Sequence, residues 1–378
     1  MSHTKGRAAV LTGPRGRFTI EEFPVPDPEP GAVLIKVTLA NVCGSDLHIW
    51  RGDLQQELPF TPEGTILGHE MTGVVAALGA GVTRDSAGEA LHEGDRVTYC
   101  YFNPCGQCYQ CLRGERASCP FKMRNMVAPI RKSPHFNGAF ADYYYLRPGM
   151  HLFKVPDTLT DELAAPVNCA LSQVIYGLER AGLGLGDTVV IQGAGGLGLN
   201  ATAVAREMGA GVIIVIDGIA GRLALAREFG ADHTIDLAEF PTPEARVQRV
   251  KEITRRRGAD VVTELVGLPA VIPEGLKMLR YGGTYLELGC ISYGHTVALD
   301  PSLLVYGGKR MIGMIQYEPA VLARAIDLLH RTHDRYPFAR VLSHRFPLEE
   351  IDAAFARAEW LGRDTGSAEI TRATIVMG

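Results

Sequence analysis

The sequence predicts an α/β protein with two domains: a β-rich amino-terminal region and a region with a doubly wound parallel sheet. The first 155 residues contain apolar and β-branched runs, such as 32–40 and 71–79, separated by turn residues. From about residue 170, apolar strands alternate with helical segments, which is typical of right-handed βαβ units. The length of 378 residues fits two or three domains of ordinary size.

Hydrophobic patterns, and the glycines that end them, predict the individual elements. The predicted strands are 32–40, 71–79, 95–101, 188–192, 211–217, 259–267 and 282–289. The predicted helices are 197–210, 222–231, 247–258, 270–280, 318–331 and 347–360. The strands of the second region are apolar throughout, as expected when helices cover both faces of a sheet. The segment after residue 316 is too short for a domain of its own, so we expect it to fold onto one of the other two.

Composition and charge exclude several classes of protein. Hydrophobic residues make up 46% and charged residues 21% of the chain, which excludes a mainly disordered state. A net charge of −4 argues against nucleic acid as a partner. The amino terminus lacks a signal-peptide core, and no apolar run reaches the roughly 20 residues of a membrane span. We therefore expect a cytoplasmic protein with no membrane partner, whose eight cysteines stay reduced.

A glycine-rich turn follows the strand at 188–192. Gly193, Gly195 and Gly198 form a GxGxxG pattern that opens a helix, and Asp217 ends the next strand. This context predicts a dinucleotide site with the pyrophosphate at the helix amino terminus; a turn without a ligand is the alternative. Asp217 would bind ribose hydroxyls and repel a 2′-phosphate, which favours NAD over NADP, although Arg222 lies nearby. The candidate cofactor contacts are Gly193, Gly195, Gly196, Leu197, Gly198, Asp217, Arg222 and Val266.

Four cysteines lie close together with the spacing C-x2-C-x2-C-x7-C. They are Cys105, Cys108, Cys111 and Cys119. Four thiolates can surround one zinc ion tetrahedrally, and they leave no coordination position open, so the predicted site is structural. Surface thiols without a metal are the alternative. The gap of seven residues does not match the iron–sulfur motif of bacterial ferredoxins.

A second group of metal-binding side chains is dispersed along the chain: Cys43, His69 and Cys169. Two thiolates and one imidazole leave a fourth coordination position open, as in catalytic zinc sites. No spacing rule joins residues this far apart. An isolated cysteine is more often a small core residue, and an isolated histidine is more often structural than a ligand. The residue types alone therefore leave both interpretations open.

Several motifs in register give the chain a resemblance to a known family. Residues 68–70 form the zinc-binding motif GHE, and residues 43–48 read CGSDLH. The four-cysteine segment and the GAGGLG turn also match, and the order and separations of the motifs agree from about residue 8 to the carboxyl terminus. The chain resembles the zinc-dependent medium-chain alcohol dehydrogenases. The resemblance implies a GroES-like catalytic domain at 1–170, completed by 317–378, and a Rossmann NAD-binding domain at 171–316.

The resemblance also implies two zinc ions per chain, one structural and one catalytic. Cys43, His69 and Cys169 would hold the catalytic zinc in a cleft between the domains. Glu70 is implied as an additional or exchanging ligand. Some members use a carboxylate as the third protein ligand, so Glu70 and the more remote Glu162 are the alternatives to Cys169.

The implied reaction is hydride transfer between NAD and an alcohol, with a secondary alcohol, a polyol or a cyclic alcohol favoured as substrate. Ser45 and His48 would pass the alcohol proton outward through the cofactor ribose. Asp46 would accept a hydrogen bond from His69 and fix its tautomer, with a turn cap as the alternative role. A dehydrogenase for primary alcohols or aldehydes, a zinc-free quinone reductase and a non-catalytic sensor or scaffold remain alternatives.

Substrate choice and assembly are less constrained by the motifs. Trp50, Phe102 and Phe121 are candidate pocket residues, with Tyr176, although aromatic residues at such positions are more often core. The loops 84–93 and 125–135 are candidates for shaping access to the pocket. The resemblance implies a homodimer or homotetramer that pairs through a sheet edge within 304–317. The expected partner is a small alcohol or carbonyl compound.

Overall fold

The computed structural model describes residues 4–360 and 372–378. The strands are β1 (Lys5–Leu11), β2 (Phe18–Pro24), β3 (Val33–Asn41), β4 (Thr65–Ile66), β5 (Glu70–Leu78), β6 (Arg96–Tyr99), β7 (Tyr143–Leu146), β8 (Leu152–Lys154), β9 (Thr188–Gln192), β10 (Val212–Asp217), β11 (His233–Asp236), β12 (Ala259–Glu264), β13 (Leu279–Glu287), β14 (Arg310–Gly313), β15 (His344–Pro347) and β16 (Ala373–Val376). The α-helices are α1 (Gly44–Arg51), α2 (Tyr109–Leu112), α3 (Asp161–Ala164), α4 (Ser172–Ala181), α5 (Gly196–Glu207), α6 (Ala220–Glu228), α7 (Pro243–Ile253), α8 (Ile272–Met278), α9 (Ser302–Val305), α10 (Ala320–Thr332) and α11 (Ile351–Trp360). In these two ranges, no helix has the length and apolar character needed to cross a bilayer.

Two sheets form the amino-terminal region. A small sheet has the order β2-β1-β4, and a larger one has the order β15-β16-β3-β5-β6-β8, with β7 also paired to β3. The central strand β3 is buried at most of its positions, because elements pack on both of its faces. The carboxyl-terminal strand β16 pairs antiparallel with β3, so the end of the chain extends the sheet of the amino-terminal region.

The second region contains a six-stranded sheet with the order β11-β10-β9-β12-β13-β14, and every neighbouring pair is parallel. Numbered from β9, this is the order 3-2-1-4-5-6 of the dinucleotide-binding fold. The direction in which successive strands are added reverses between β9 and β12, and ligands bind such sheets at this point, beyond the carboxyl ends of the strands. The predicted α/β class with a doubly wound parallel sheet is confirmed.

The hydrophobic core links the two regions. Side chains on one face of the parallel sheet, including Val189 and Ile191 of β9, belong to the same cluster as Val37 and Val97 of the amino-terminal sheet. Val190, on the opposite face of β9, belongs to a separate cluster beneath α7 and α8. Successive side chains of a strand point to opposite faces, which is why one strand contributes to both clusters.

The sequence prediction was wrong at several element boundaries, and it missed short helices. Helix α7 begins at Pro243 rather than at 247, because the Thr242 side chain accepts a hydrogen bond from the Ala245 amide and Pro243 occupies the first turn. Helix α8 ends at Met278, and the next two residues begin β13. The helix α1 was not predicted, nor was the π-helix at Val167–Leu171. Both carry candidate site residues.

Candidate active site and cofactor site

Three distant parts of the sequence bring Cys43, His69 and Cys169 together. Cys43 precedes α1, His69 precedes β5, and Cys169 lies within the π-helix at Val167–Leu171. Their ligand atoms all lie within 4.8 Å of one another, and all three residues are buried. The Cys169 Sγ atom is 3.5 Å from His69 Nε2 and 3.9 Å from Cys43 Sγ. Two thiols and one imidazole at this separation form a donor set that suits zinc and leaves one coordination position open.

The Asp46 carboxylate contacts the backbone and the side chain of residues in this donor group. Its carboxylate accepts hydrogen bonds from the Cys43 amide at 2.9 Å and the Gly68 amide at 3.3 Å, and it lies 3.2 Å from His69 Nδ1. An ionised carboxylate only accepts hydrogen bonds, so His69 Nδ1 carries the proton and Nε2 is directed towards the two sulfurs. The carboxylate therefore orders the backbone of one ligand and the ring of another.

The protonation states of the three side chains depend on one another. Hydrogen bonding from the Cys169 thiol places the pKa of Cys43 well below its usual range, with a further contribution from His69. Burial opposes a charge on His69, but the Asp46 carboxylate raises the pKa of its imidazole above the usual value. The contact between the two thiols raises the pKa of Cys169 well above its usual value, so the two thiol groups hold one proton between them. Metals bind thiolates and neutral imidazole, so zinc binding at this site would release protons.

Glu70 follows His69 directly but lies outside the three-donor group. It is fully buried, and its carboxylate forms an ion pair with the buried Arg372 guanidinium. Burial raises the pKa of Glu70 to about 7, although Arg372 opposes the shift. The Oε2 atom of Glu70 has no hydrogen-bond partner. Glu162, the other carboxylate considered as a ligand, pairs with Arg345 on the surface.

Asn168 and Tyr317 support the π-helix, although no sequence motif indicated either residue. The Asn168 side-chain amide donates to the His69 carbonyl at 2.9 Å and to the Tyr99 carbonyl at 3.0 Å. The Tyr317 hydroxyl donates to the Asn168 carbonyl. Asn168 precedes Cys169 in the sequence, and this adjacency is the one signal that indicated its role.

The four cysteines predicted to hold a structural zinc form a second compact group. The Sγ atoms of Cys105, Cys108, Cys111 and Cys119 all lie within 4.8 Å of one another. The backbone amide of Gln107 lowers the pKa of Cys105 to about 7. Four sulfur atoms at this separation suit a tetrahedral zinc site with no open position. All eight cysteines of the chain are free of disulfide bonds.

The glycine turn has the shape needed for a phosphate group. Gly193 has a φ of 100°, and a Cβ atom on Gly198 would lie 1.9 Å from the Gly193 carbonyl oxygen. A Cβ atom on Gly195 would meet no atom within 4 Å, so open space adjoins the amino terminus of α5. The backbone therefore closes tightly on one side of the turn and leaves room for a pyrophosphate on the other.

Asp217 ends β10 beside this turn. Its carboxylate accepts hydrogen bonds from the Ala194 amide at 2.7 Å and the Ile219 amide at 2.9 Å. Arg222 follows in α6. Val266, which follows β12, has an exposed side chain, and its amide donates to Glu264. Arg372, the partner of Glu70, reaches the same turn, because a Cβ on Gly196 would lie 2.9 Å from its Nη2 atom.

Comparison with known proteins identifies the family. Residues 29–157 match the alcohol dehydrogenase GroES-like domain, and residues 196–331 match the zinc-binding dehydrogenase family. The chain is 38% identical over 349 residues to the 5-exo-hydroxycamphor dehydrogenase of Pseudomonas putida, covering 92% of this chain and 94% of the relative. The chain belongs to the zinc-binding medium-chain alcohol dehydrogenases. The resemblance inferred from the motifs is confirmed.

Other relatives support the same assignment. The dehydrogenase is 34% identical to the sorbitol dehydrogenase of Bacillus subtilis (strain 168), covering 89% of this chain and 92% of the relative. An alcohol dehydrogenase structure from Thermotoga maritima superposes with a TM-score of 0.89, at 30% identity, covering 99% of this chain and all of that one. A zinc-binding dehydrogenase from Sinorhizobium meliloti 1021, whose structure contains NADP, gives a TM-score of 0.81 at 28% identity, with coverage of 99% and 100%. This chain is therefore a zinc-dependent enzyme of the family, with a nicotinamide cofactor.

The two residues predicted to form a proton relay in the dehydrogenase lie in different surroundings. Ser45 Oγ is 3.2 Å from His69 Nε2 and 3.4 Å from Cys43 Sγ, so this hydroxyl adjoins the zinc-binding group. His48 Nδ1 lies instead 3.0 Å from Asp53 Oδ2 and 2.7 Å from Ser292 Oγ. No hydrogen bond joins the Ser45 and His48 side chains, both of which are described. A further hydroxyl group or a water molecule is needed between them.

The predicted pocket residues differ in burial: Phe102 is buried, Trp50 is half-buried and Phe121 is exposed. Trp50 donates to the Gly16 carbonyl at 3.0 Å, and Phe121 lies beneath Arg124 at 4.0 Å. Phe102 is fully buried and packs edge-on against Tyr101. Tyr101, which the sequence analysis did not single out, lies 4.7 Å from the His69 ring between centroids. Tyr101 is therefore the aromatic residue that lies directly beside the zinc-binding group.

Proposed function

We propose that this dehydrogenase oxidises a secondary, cyclic or polyol alcohol to the carbonyl compound, with NAD as hydride acceptor and release of one proton. The observation that carries the proposal is the buried Cys43–His69–Cys169 group, which leaves a fourth position open beside the Ser45 hydroxyl. A structural zinc site has four protein ligands, whereas a catalytic site keeps one position for substrate. The reverse reaction uses the same groups.

The chain's own residues have distinct tasks in this proposal. Cys43, His69 and Cys169 hold the catalytic zinc, and Asp46 fixes the orientation of the imidazole. When bound, zinc polarises the substrate oxygen and the nicotinamide accepts the hydride. The Ser45 hydroxyl lies next to the zinc ligands, where it can accept the proton of the substrate hydroxyl, and His48 can take up that proton nearer the surface.

The choice of NAD over NADP is part of the proposal. A carboxylate at the end of β10 binds ribose hydroxyls and repels a 2′-phosphate, and Asp217 occupies this position. Its carboxylate is fixed by two backbone amides and is partly exposed, so it can face the adenosine ribose. The Sinorhizobium meliloti relative binds NADP in its structure, so the preference for NAD does not follow from family membership and has to be measured.

The substrates named for two relatives, and the aromatic side chain beside His69, support a cyclic alcohol or a polyol as substrate. Those relatives are dehydrogenases of a hydroxycamphor and of sorbitol, which are a cyclic alcohol and a polyol. Tyr101 places a flat aromatic surface beside His69, and such a surface suits a ring better than a charged substrate.

A substrate panel tests the proposal. The zinc-loaded enzyme is mixed with NAD and with cyclic secondary, acyclic secondary, polyol and primary alcohols, and NADH formation is followed by absorbance. We expect the highest kcat/KM with a cyclic secondary alcohol or a polyol, loss of activity after chelation, and recovery on adding zinc. Cys43→Ser should abolish turnover, whereas Cys290→Ser, a thiol outside both zinc-binding groups, should not. A preference for primary alcohols would replace the proposed substrate class, and no turnover on any alcohol would overturn the proposal.

A further inference from the structure

The His48 side chain forms hydrogen bonds with two residues that no sequence motif indicated. It lies on α1, and its Nδ1 atom is 3.0 Å from the Asp53 carboxylate and 2.7 Å from the Ser292 hydroxyl. Asp53 belongs to the catalytic region, whereas Ser292 lies in the loop after β13 of the dinucleotide-binding region. The His48 and Asp53 side chains are about a quarter exposed. One imidazole nitrogen therefore meets a carboxylate from its own domain and a hydroxyl from the other domain.

The backbone holds Asp53 in place. Helix α1 ends at Gly52, which has a φ of 89°. The Asp53 amide then donates to the carbonyl oxygen of His48 at 2.9 Å. This is the bond that closes a helix at a left-handed glycine, and it brings Asp53 back beside the side chain of the residue whose carbonyl it caps. The position of the carboxylate is therefore set by the helix end rather than by a flexible loop.

The hydrogen-bond chemistry selects one tautomer of His48. An ionised carboxylate accepts hydrogen bonds and cannot donate, so Nδ1 must carry the proton that faces Asp53. Ser292 then accepts a share of the same N–H group. The Nε2 atom is left as the nitrogen with a free lone pair, which is the form needed to take up a proton. When Nε2 is protonated, the Asp53 carboxylate offsets the positive charge of the ring.

Other charged groups nearby are already engaged. Arg51, on the same helix, pairs with Glu359 at 3.0 Å. Glu57 accepts a hydrogen bond from the Tyr293 hydroxyl at 2.6 Å, next to Ser292 in the sequence. Asp53 is thus the charged group bonded to His48 in the described part of the chain.

We propose that Asp53 and Ser292 are positioning residues of the proton relay: Asp53 sets the tautomer of His48, and Ser292 connects that histidine to the dinucleotide-binding domain. The proposal rests on the proposed function, because it assigns His48 to proton uptake. In alcohol oxidation, His48 Nε2 accepts the proton that has left the substrate side, and the proton then passes from the partly exposed imidazolium to water. The Ser292 contact makes the His48 geometry depend on the approach of the two domains.

The first experiment observes the His48 side chain in the absence of turnover. The ring nitrogens of His48 are observed by NMR in protein with nitrogen-labelled histidines, assigned by comparison with His48→Gln, in wild type and in Asp53→Asn. In wild type we expect the proton on Nδ1, because the ionised Asp53 carboxylate can only accept a hydrogen bond. The amide of Asp53→Asn can also donate, so the two tautomers of His48 should become mixed. Asp334→Asn is the matched control, because Asp334 pairs with His333 at an exposed site, and it should leave the His48 tautomer unchanged. An unchanged tautomer in Asp53→Asn would overturn the proposal even if the enzyme turns over no alcohol.

The second experiment measures the effect of the relay residues on kcat, on KM and on the pH dependence of kcat. With a substrate found by the panel, Asp53→Asn should lower kcat about tenfold, leave KM within about twofold and move the acidic limb of the kcat–pH profile to lower pH. Asp53→Glu should restore part of the rate. Ser292→Ala should lower kcat by a few-fold without moving the limb. In a His48→Gln background, Asp53→Asn should have no further effect, because the two residues act as one unit. An equal loss in both backgrounds would show that Asp53 acts by another route, and unchanged zinc content excludes a folding defect.

Discussion

One buried carboxylate, that of Asp46, shows how a single residue can determine the order of a metal site. It binds the amide of one zinc-ligand residue and faces the ring of another, and its own side chain is fully buried. Burial of a carboxylate is unfavourable unless hydrogen bonds compensate for the lost hydration, and here two amides and an imidazole do so. The donor group is therefore preorganised before zinc binds.

We predict that Asp46→Asn lowers the affinity for the catalytic zinc by about 10- to 100-fold, because the imidazole loses the charged acceptor that fixes its tautomer. The measurement is a competition titration of zinc against a chromophoric chelator. Asp85→Asn is the matched control: Asp85 is also a buried carboxylate that caps backbone amides, but it lies in a surface loop away from the donor group. Equal losses in the two variants would contradict the role assigned to Asp46.

Asp217 carries a second prediction at this scale. The two backbone amides bind different oxygens of Asp217, so Asp217→Asn keeps an acceptor for only one of them and also removes the negative charge that opposes a 2′-phosphate. We expect NAD to bind roughly tenfold more weakly and the preference for NAD over NADP to shrink or reverse. Dissociation constants of both cofactors, measured by quenching of protein fluorescence, check this. A wild-type enzyme that binds NADP more tightly than NAD would contradict the assignment of Asp217.

At the scale of the elements, two neighbouring strands end in glutamates that each have one buried carboxyl oxygen. Glu264 ends β12 and Glu287 ends β13. One oxygen of each accepts hydrogen bonds from two backbone amides of the loop that follows, and the other oxygen of each has no partner. Burial, together with the neighbouring Glu287 carboxyl, raises the pKa of Glu264 to about 8. The pair therefore holds a proton at neutral pH, at the sheet edge where the cofactor site lies.

The raised pKa of Glu264 predicts a dependence of stability on pH. Both states are protonated below the unfolded pKa of about 4.5, and between that value and about 8 only the unfolded state releases the proton. Stability should therefore fall as pH rises across this window and then level off. In Glu264→Gln, the amide oxygen still accepts the two backbone amides and no proton is required, so this part of the pH dependence should vanish.

The measurement is the apparent Tm of wild type and of Glu264→Gln at pH 5 and at pH 9. In a chain of this size, a change of about 1 kcal/mol in the free energy of unfolding shifts the Tm by roughly 2–4 °C. Glu274→Gln serves as the control, because Glu274 is buried but paired with Arg246, so its loss should lower the Tm at both pH values. A pH slope in Glu264→Gln equal to that of wild type would contradict the prediction.

At the scale of the whole molecule, the two regions share a hydrophobic cluster and also charged connections. Arg372, next to β16, pairs with Glu70 beside the zinc-binding group and reaches the glycine turn of the parallel sheet. Strand β14 forms one edge of that sheet. Near this edge, Val305 and Tyr306 are largely exposed, and Met311 of β14 is partly exposed. An exposed sheet edge with apolar side chains is a surface on which a second copy can pair.

We predict that the protein is a homodimer or a homotetramer built through β14. Light scattering after gel filtration should give at least twice the chain mass of 40.9 kDa. Met311→Lys, which places a charge on the edge strand, should weaken the assembly. Leu237→Lys should not, because Leu237 is similarly exposed but follows β11 at the opposite edge of the sheet. A monomer at micromolar concentration in wild type would refute the prediction.

The sequence by itself determined the features that are local. The four-cysteine group lies within 15 residues, and the glycine turn with Asp217 lies within one βαβ unit, so spacing alone indicated their geometry. The alternation of apolar strands and helices was sufficient to predict the parallel sheet. Element boundaries such as the start of α7 were missed, because capping by Thr242 and Pro243 outweighs the hydrophobic pattern there.

The tertiary structure decided the features that join distant segments. It brought Cys43, His69 and Cys169 within 4.8 Å, directed Glu70 to Arg372 instead of to that group, and gave His48 its partner Ser292. The physical reason is that a buried charge must find an opposite charge or hydrogen bonds wherever the fold places them. Residue type and spacing carry no record of such partners when they lie far apart in the sequence.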